Sequence, residues 1–533
     1  MTTTLRWHGY RYMPYERRLA ALEVARLANS DPQPIAEGLS VKADLRFEVA
    51  RRLTYFAEVV NASGVTVRTD QATFEASAPR NGIKRASGDG AVSMKAITKQ
   101  ATRYSAHGLH EYRGKFNPQI VRATANILGL KPGSLILDPF CGSGTVLLEA
   151  AHLGLDAAGF DLHPLAVEIA NAKVTAFHTP RDQMRRCVDA VLAAVAPALE
   201  VDERKLGQWI EKRLTVPFQE ALPNFAYLRE WFPELVLKQV AFALEVILRE
   251  VPASLQRTFR VMLSDVVRDV SWQEPADLRI RRRAVQADNY PALSLFAEGI
   301  QRKASAICAA PANTDPARLQ AAMLVDSRKV ADSSEALRGL FGRRKADAII
   351  SSPPYATALP YVDMHRLSLC LLGLIGDREI RETERALIGN REITDRERRA
   401  IETELRVNAL KLPKACHALC VRMLVEAEKP GNGFRRRNTP SLLYKYLGEM
   451  QTMFRTATAL LKRGAPLAFV IGPNRCSLGG SDFAIDTPEL LREVAEASGF
   501  VQDECIELDA YQRYDLHQQN SIRREVLLVL RTR

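Results

Sequence analysis

Ser134-Leu135-Ile136-Leu137-Asp138-Pro139-Phe140-Cys141-Gly142-Ser143-Gly144-Thr145 decides how this chain is to be read. Its apolar run predicts a buried strand, and residues 146 to 153 are apolar and helix-favouring, so the order is strand, glycine loop, helix. That is the opening of a nucleotide-binding α/β unit, in which glycines let the backbone approach a ligand. The loop has Gly142 and Gly144, but Leu147 stands where a dinucleotide fingerprint places its third glycine, and no Gly-Lys-Ser/Thr follows. NAD and ATP are therefore poor fits. A second short strand, Ala157-Ala158-Gly159-Phe160-Asp161, ends in an acid seventeen residues after Gly144, close to the spacing at which a carboxylate accepts ribose hydroxyls. A ribose without a pyrophosphate points to S-adenosyl-L-methionine.

A second motif lies about two hundred residues on, where the apolar run Ala346-Asp347-Ala348-Ile349-Ile350 meets Ser351-Ser352-Pro353-Pro354-Tyr355. Two prolines fix φ and remove two backbone donors, leaving the Ser352 hydroxyl and the carbonyls around Pro353 as acceptors suited to a planar amine. Tyr355 offers a ring for stacking. Taken alone, the motif reads equally as an ordinary strand-ending turn. In a doubly wound sheet, however, the first strand and the strand after the crossover back lie side by side and ligands bind between their carboxyl ends. With 134 to 140 as strand one and 346 to 351 as strand four, the glycine loop and the Pro-Pro turn face each other.

On these residues the chain resembles the amino-methylating DNA methyltransferases, which modify N4 of cytosine or N6 of adenine. Asp138, Pro139, Phe140, Cys141, Gly142, Ser143, Gly144 and Thr145 look like the family's cofactor motif. The resemblance implies Asp138 near the methionine amino group, the glycine loop around its carboxylate, and Asp161 on the ribose. Lys115-Phe116-Asn117-Pro118-Gln119 resembles the segment that closes over the methionine end. Ala321-Ala322-Met323-Leu324-Val325 reads as a third strand, and Asp326 after it occupies the place where similar enzymes contact adenine. Ser352-Pro353-Pro354-Tyr355 is similar to the catalytic tetrapeptide in its serine form, which is commoner among N4-cytosine enzymes. The implied fold is α/β, a seven-stranded Rossmann-like methyltransferase sheet whose last strand is antiparallel. The likeness covers 100 to 178, 319 to 372 and 441 to 533.

Composition sets the frame. The 533 residues are 47% hydrophobic, ample for a sizeable core. Lys+Arg 74 against Asp+Glu 62 gives +12, which favours a polyanionic partner or simply aids solubility. The N-terminal residues lack the apolar core of a signal peptide, and no window approaches eighteen uninterrupted apolar residues, so a cytoplasmic location without a membrane is expected. Eight scattered cysteines read as reduced thiols. Cys416 and Cys420 share a helix face with His417 between them, but no second ligand pair follows at zinc spacing, so a buried helix is expected and no metal. His107 and His110 suit a lid or orienting role.

Six segments follow from the pattern. Residues 1 to 95 predict a small helical unit, from amphipathic stretches at 15 to 28 and 41 to 60 and a Gly/Ser/Ala-rich linker from 76 to 90. Residues 96 to 178 carry the cofactor motif. Residues 179 to 318, too long for a connector, predict a helical insertion, a candidate for target recognition with a basic cluster at Arg279, Arg281, Arg282 and Arg283. Residues 319 to 372 hold the catalytic turn. Residues 373 to 440 form a second, charged insertion, with an exposed helix at 377 to 406 and a mobile phosphate-binding loop around Arg435, Arg436 and Arg437. Residues 441 to 533 complete the sheet.

The expected activity is transfer of a methyl group to an exocyclic amino group of a base flipped out of DNA, double-stranded by expectation, with a restriction or defence enzyme as a possible companion. Two alternatives stay open. An RNA guanine-N2 methyltransferase shares the cofactor motif and a Pro-Pro-Tyr turn, but generally has asparagine or aspartate before the prolines and often an RNA-binding domain in front, for which residues 1 to 95 look too short and too helical. A catalytically silent nucleic-acid-binding subunit would keep the fold without the chemistry; intact Asp138, Gly142, Gly144, Asp161 and Ser352 argue against it.

Overall fold

Five short strands open the chain: β1 (Thr3–Trp7), β2 (Gln33–Ile35), β3 (Gly38–Val41), β4 (Phe56–Val60) and β5 (Thr66–Arg68). They form an antiparallel sheet in the order β2-β3-β1-β4-β5. The helical unit expected here is thus corrected to a mixed one. Residues 15 to 28 do lie in a helix, Pro14–Ala28, but the stretch at 41 to 60 divides into a short helix, Phe47–Arg52, and the strand β4. The break has a local cause, since Leu53, Thr54 and Tyr55 are fully buried and the Thr54 amide and hydroxyl both donate to the buried Glu23 carboxylate. The computed structural model describes residues 2 to 78, 100 to 112, 114 to 275, 277, 280 to 310, 317 to 356, 361 to 509 and 524 to 533. Most of the expected linker at 76 to 90, and Arg279, lie outside them.

The remaining strands are β6 (Leu135–Asp138), β7 (Asp156–Asp161), β8 (Gln320–Leu324), β9 (Ala348–Ser351), β10 (Pro466–Ile471), a separate hairpin β11 (Asn474–Leu478) and β12 (Ser481–Ile485), β13 (Phe500–Asp509) and β14 (Arg524–Thr532). Seven of them make one sheet, β13-β14-β10-β9-β6-β7-β8, in which β14 alone runs antiparallel to its neighbours. This is the doubly wound α/β sheet expected from the motifs, with β6 and β9 side by side: Leu137 pairs with Ile349.

Side chains alternate across the sheet as the two-residue period demands. Leu135, Leu137, Ile349, Leu467 and Phe469 enter a core with the helices Val330–Phe341, Phe434–Leu460 and Thr487–Glu496. Ile136, Ala348, Ile350, Ala468 and Val470 face the other way, into a core shared with the N-terminal unit and the helices Pro118–Ile127 and Thr145–His152. The N-terminal unit is therefore fastened onto one face of the sheet. Arg52 and Asn126 bond at 2.7 Å across that junction, and Asn126 donates onward to Glu23 at 2.6 Å.

Residues 179 to 318 are largely helical among those described. The helices Arg181–Leu199, Glu203–Glu211, Glu234–Glu250, Ala253–Ser264 and Ala292–Ala309 form a third core against Pro164–His178 and Arg366–Leu371. In the second insertion, 377 to 406 is two helices, Ile380–Ala386 and Asp395–Arg406, rather than one. The mobile loop expected around 435 to 437 is corrected as well. Those arginines are the exposed first turn of Phe434–Leu460, which begins at an extended Gly433 and continues through the buried Pro440. Cys416 and Cys420 are buried in the helix Lys414–Ala427, where the His417 Nε2–H donates to the Leu405 carbonyl at 2.7 Å. Among the described residues, no helix is long and apolar enough to cross a membrane.

Candidate active site

Six strands bring their carboxyl ends to one edge of the sheet. Asp138 closes β6 and is nearly inaccessible, accepting a hydrogen bond of 2.5 Å from the Ser351 hydroxyl at the end of β9 and one of 3.2 Å from the Phe140 amide. Burial pushes its carboxyl up to about 7, against the pull of those two donors. Asp161 closes β7 and accepts from the Gly142 amide and from the His163 amide, each at 2.8 Å; burial raises its carboxyl too. The second strand's acid thus pins the glycine loop of the first.

The loop's shape requires its glycines. Gly142 and Gly144 have φ of 46° and 75°, the left-handed region that side chains disfavour. A β-carbon on Gly144 would stand 2.6 Å from Ala170 Cβ and 2.8 Å from its Cα. The backbone can lie this close to the helix Pro164–His178 only without one. Between the glycines, Ser143 receives two hydrogen bonds from Lys173 Nζ, at 2.8 Å to its carbonyl and 3.1 Å to its hydroxyl. Lys173 is fully buried, which draws its ammonium down to about 7.

The Pro-Pro turn leaves β9 beside this loop. Ser352 donates its hydroxyl proton to the Val470 carbonyl of β10 at 3.1 Å, so its oxygen presents lone pairs alone. Pro353 is buried, Pro354 half-buried, and Tyr355 donates to the Glu525 carboxylate on β14 at 2.7 Å. Phe140 lies edge-on to Phe469 of β10, with centroids 6.4 Å apart. Thr145 starts the helix after the loop, and Pro139 is buried between.

Other expected residues already have partners in the structure. Lys115 Nζ donates to the Thr102 and His107 carbonyls at 2.8 and 3.3 Å, clasping the segment before it, and Phe116 packs into the core under the N-terminal unit. Asp326 follows β8 as predicted, but its carboxylate is held by Arg328 through Nε at 2.8 Å and Nη2 at 2.9 Å. Burial alone would raise that carboxyl; Arg328 brings it below the usual range. Of the basic clusters, Arg282 donates to the Glu230 carbonyl and lies 5.2 Å from the Trp231 ring, and Arg283 donates to the carbonyls of Gln273 and Asp269. These two staple the insertion together. Arg281 is exposed and pairs with Asp277 at 3.4 Å; Arg437 donates to the Asn432 carbonyl, while Arg435 and Arg436 are exposed.

Several residues at the edge gave no sequence signal. Tyr112 stacks on His365 with centroids 4.8 Å apart and lies beside Gly142; His163 donates from Nε2 to the Tyr361 carbonyl at 3.1 Å. His163 stands two residues after Asp161 and Tyr112 three before Lys115, each beside a motif without being part of it. Beneath the loop, Glu149 is fully buried and takes three donors: Tyr104 Oη at 2.7 Å, His107 Nε2 at 2.8 Å and Arg122 Nε at 2.9 Å. Among the described residues, His107, Glu149 and His152 have ligand-type atoms within 4.8 Å of one another. Glu149 already balances Arg122, so a dication there would add charge without a counter-charge; the group reads as a buried strut. His110 Nδ1–H donates to the Glu111 carbonyl, and the Glu111 amide to Asp265, tying this segment to the first insertion.

The UPF0020 family model, described as RMKL-like, methyltransferase domain, matches residues 109–207. The chain is 38% identical over 76 residues to the type II methyltransferase M.MjaII of Methanocaldococcus jannaschii, covering 14% of each chain. It is 42% identical over 57 residues to a tRNA (guanine(10)-N2)-dimethyltransferase of Methanothermobacter thermautotrophicus, 11% of this chain and 17% of that one. These stretches span less than a fifth of either relative's own length. A longer match, 23% identical over 430 residues, covers 77% of this chain and 82% of the type II methyltransferase M.AvaI of Nostoc sp.. The domain match and the type II relatives make this part of the chain similar to a methyltransferase domain, with S-adenosyl-L-methionine as its cofactor.

Proposed function

We propose that this protein methylates an exocyclic amino group of a DNA base, N4 of cytosine ahead of N6 of adenine. One observation carries the reading: Ser352 spends its only proton on the Val470 carbonyl, so a serine in a Ser-Pro-Pro-Tyr turn faces the site as an acceptor. An exocyclic amine is a poor nucleophile because its lone pair is delocalised into the ring. Ser352 and the Pro353 carbonyl accept its hydrogens and favour the pyramidal, attacking form, while Tyr355 stacks on the extruded base. The bond from nitrogen to methyl forms as the methyl–sulfur bond breaks, and one amino proton then leaves.

The cofactor supplies the electrophilic sulfonium methyl. Residues present fit it. Asp161 is half-exposed at the end of β7, and the outer side of Gly142 is open except for Tyr112, 3.6 Å from where a β-carbon would stand. Asp161 would take the ribose hydroxyls, Asp138 the methionine amino group, and the loop of Gly142 and Gly144 its carboxylate. Phe140, Pro139, Thr145, Lys115 and Phe116 frame that end. Asp326 would meet the adenine with Arg328 already on its carboxylate.

Asp138 gives a pH signature. Burial pushes its carboxyl up to about 7, and holding an ammonium group requires it ionised. Below that pH a proton must be expelled on binding, so cofactor affinity is expected to fall roughly tenfold per unit from pH 7 to 5. Calorimetric titration across that range checks this; Asp138→Asn should be weak throughout and lack the slope.

The serine form of the turn and the extended likeness to M.AvaI support DNA. The tRNA relative supports a second reading as an RNA guanine-N2 methyltransferase, and one objection to it is gone, because residues 2 to 78 carry a five-stranded sheet. Sequencing of DNA and RNA from a host expressing the wild type or Ser352→Ala, with modification-sensitive chemistry, separates the readings. N4-methylcytosine or N6-methyladenine should appear in DNA with the wild type, at a rate reduced about 10- to 100-fold in the variant, the loss of one directed hydrogen bond. Methyl-guanine in RNA with unmodified DNA would transfer the assignment to RNA. The roles of the exposed Arg281, Arg435 and Arg436 as phosphate contacts belong to this proposal.

A further inference from the structure

Parallel strands bring their carboxyl ends to the active edge, so each contributes the loop that follows it. Strand β14 runs the other way, and it is its beginning that stands there. Val526 pairs with Ile471 at the end of β10, and Glu525 lies one residue beyond, opposite Leu508 of β13. From that position its Oε1 accepts the Tyr355 hydroxyl at 2.7 Å. The neighbouring cation, Arg524, pairs with Glu507. Burial and the Glu525 carboxylate hold the Tyr355 phenol well above its usual range, so it stays a donor at all working pH values.

We propose that Glu525 is a positioning residue for the target base, fixing the plane of the Tyr355 ring by holding its hydroxyl. The inference rests on the reading of the Ser352 to Tyr355 turn as the base-holding element. The two prolines fix the path of the chain up to Tyr355, but its side chain still turns about two bonds. Holding the hydroxyl fixes the axis of the ring, and because a phenol O–H prefers the plane of its own ring, the direction of the Glu525 acceptor also sets the tilt, so the face is presented before the base arrives. That lowers the ordering cost of stacking and places the amine for attack. Acting from a strand outside both motifs, Glu525 would couple the antiparallel seam of the sheet to catalysis.

A double-mutant cycle tests this, with label transfer from tritiated S-adenosylmethionine to unmethylated host DNA and, in parallel, host RNA. Glu525→Ala is expected to lower kcat about tenfold with unchanged cofactor affinity, Tyr355→Phe to lower it similarly, and the double variant to lose no more than either alone. Glu525→Gln, which keeps an acceptor oxygen, should recover most of the rate. Multiplying losses in the double variant, or a Glu525→Gln as poor as Glu525→Ala, would overturn the inference while an active wild type leaves the proposed function standing. A wild type that binds cofactor but labels neither nucleic acid would overturn the proposed function and this inference together. Cofactor affinity in each variant reports whether the sheet is intact.

Discussion

Glu149→Ala is expected to destabilise the protein by about 3–5 kcal/mol, the usual cost of breaking a buried ion pair from one side. Arg122 is fully buried and its two terminal nitrogens have no partner among the described residues, so its charge is carried by the single bond from Nε to Glu149. Its guanidinium lies 5.1 Å from the Phe74 ring centroid, which offsets only part of that loss. The substitution also strips the acceptor from Tyr104 and His107. Urea unfolding monitored by tryptophan fluorescence and circular dichroism should show the first transition shifted accordingly. A shift worth less than about 1 kcal/mol would mean the strut relaxes or takes up water. Because Glu149 lies one turn into the helix that follows the glycine loop, cofactor affinity should fall with stability.

Gly144→Ala should weaken cofactor binding about 100-fold or more, the scale on which displacement of a positioning group by about 1 Å acts. Two penalties coincide. An alanine at a φ of 75° costs about 1–2 kcal/mol, and its Cβ would overlap the Cβ and Cα of Ala170, forcing loop and helix apart. Gly342 separates the two effects. It too has positive φ, 64°, but an added β-carbon there meets nothing within 4 Å. Gly342→Ala should therefore show the strain in a melting curve and leave cofactor affinity alone. Equal affinities for Gly144→Ala and wild type in calorimetric titration would show that the loop does not need its close approach to the helix.

What the sequence could reveal follows from what each residue does. Strand β6, its glycine loop and the acid ending β7 were legible because their functions are local: an apolar run, a positive φ and a strand-end carboxylate each leave a mark within a few residues. The pairing of β6 with β9 was legible because sheet winding permits few neighbours. Residues 41 to 60 misled because a buried Leu53-Thr54-Tyr55 corner interrupts an otherwise helix-like pattern, and its partner, Glu23, lies far back in the chain. Arginine clusters were equally opaque: a guanidinium bound to backbone carbonyls, as in Arg282 and Arg283, is the same residue in sequence as one awaiting a phosphate. Glu525 meets Tyr355 only because the fold brings the two together, so nothing beside it in the chain announced it.

The bond between Asp138 and Ser351 joins residues 213 positions apart, and this has a consequence for biogenesis. At about 5–20 residues per second, β9 follows β6 off the ribosome by roughly 10–40 s. Through that interval β6 waits for its partner on one side, while β7 and β8 can already pair on the other. The sheet is therefore closed late, by the entry of β9 and β10, and the core of the first insertion is completed only after β9, because Leu367, Leu369 and Cys370 belong to it.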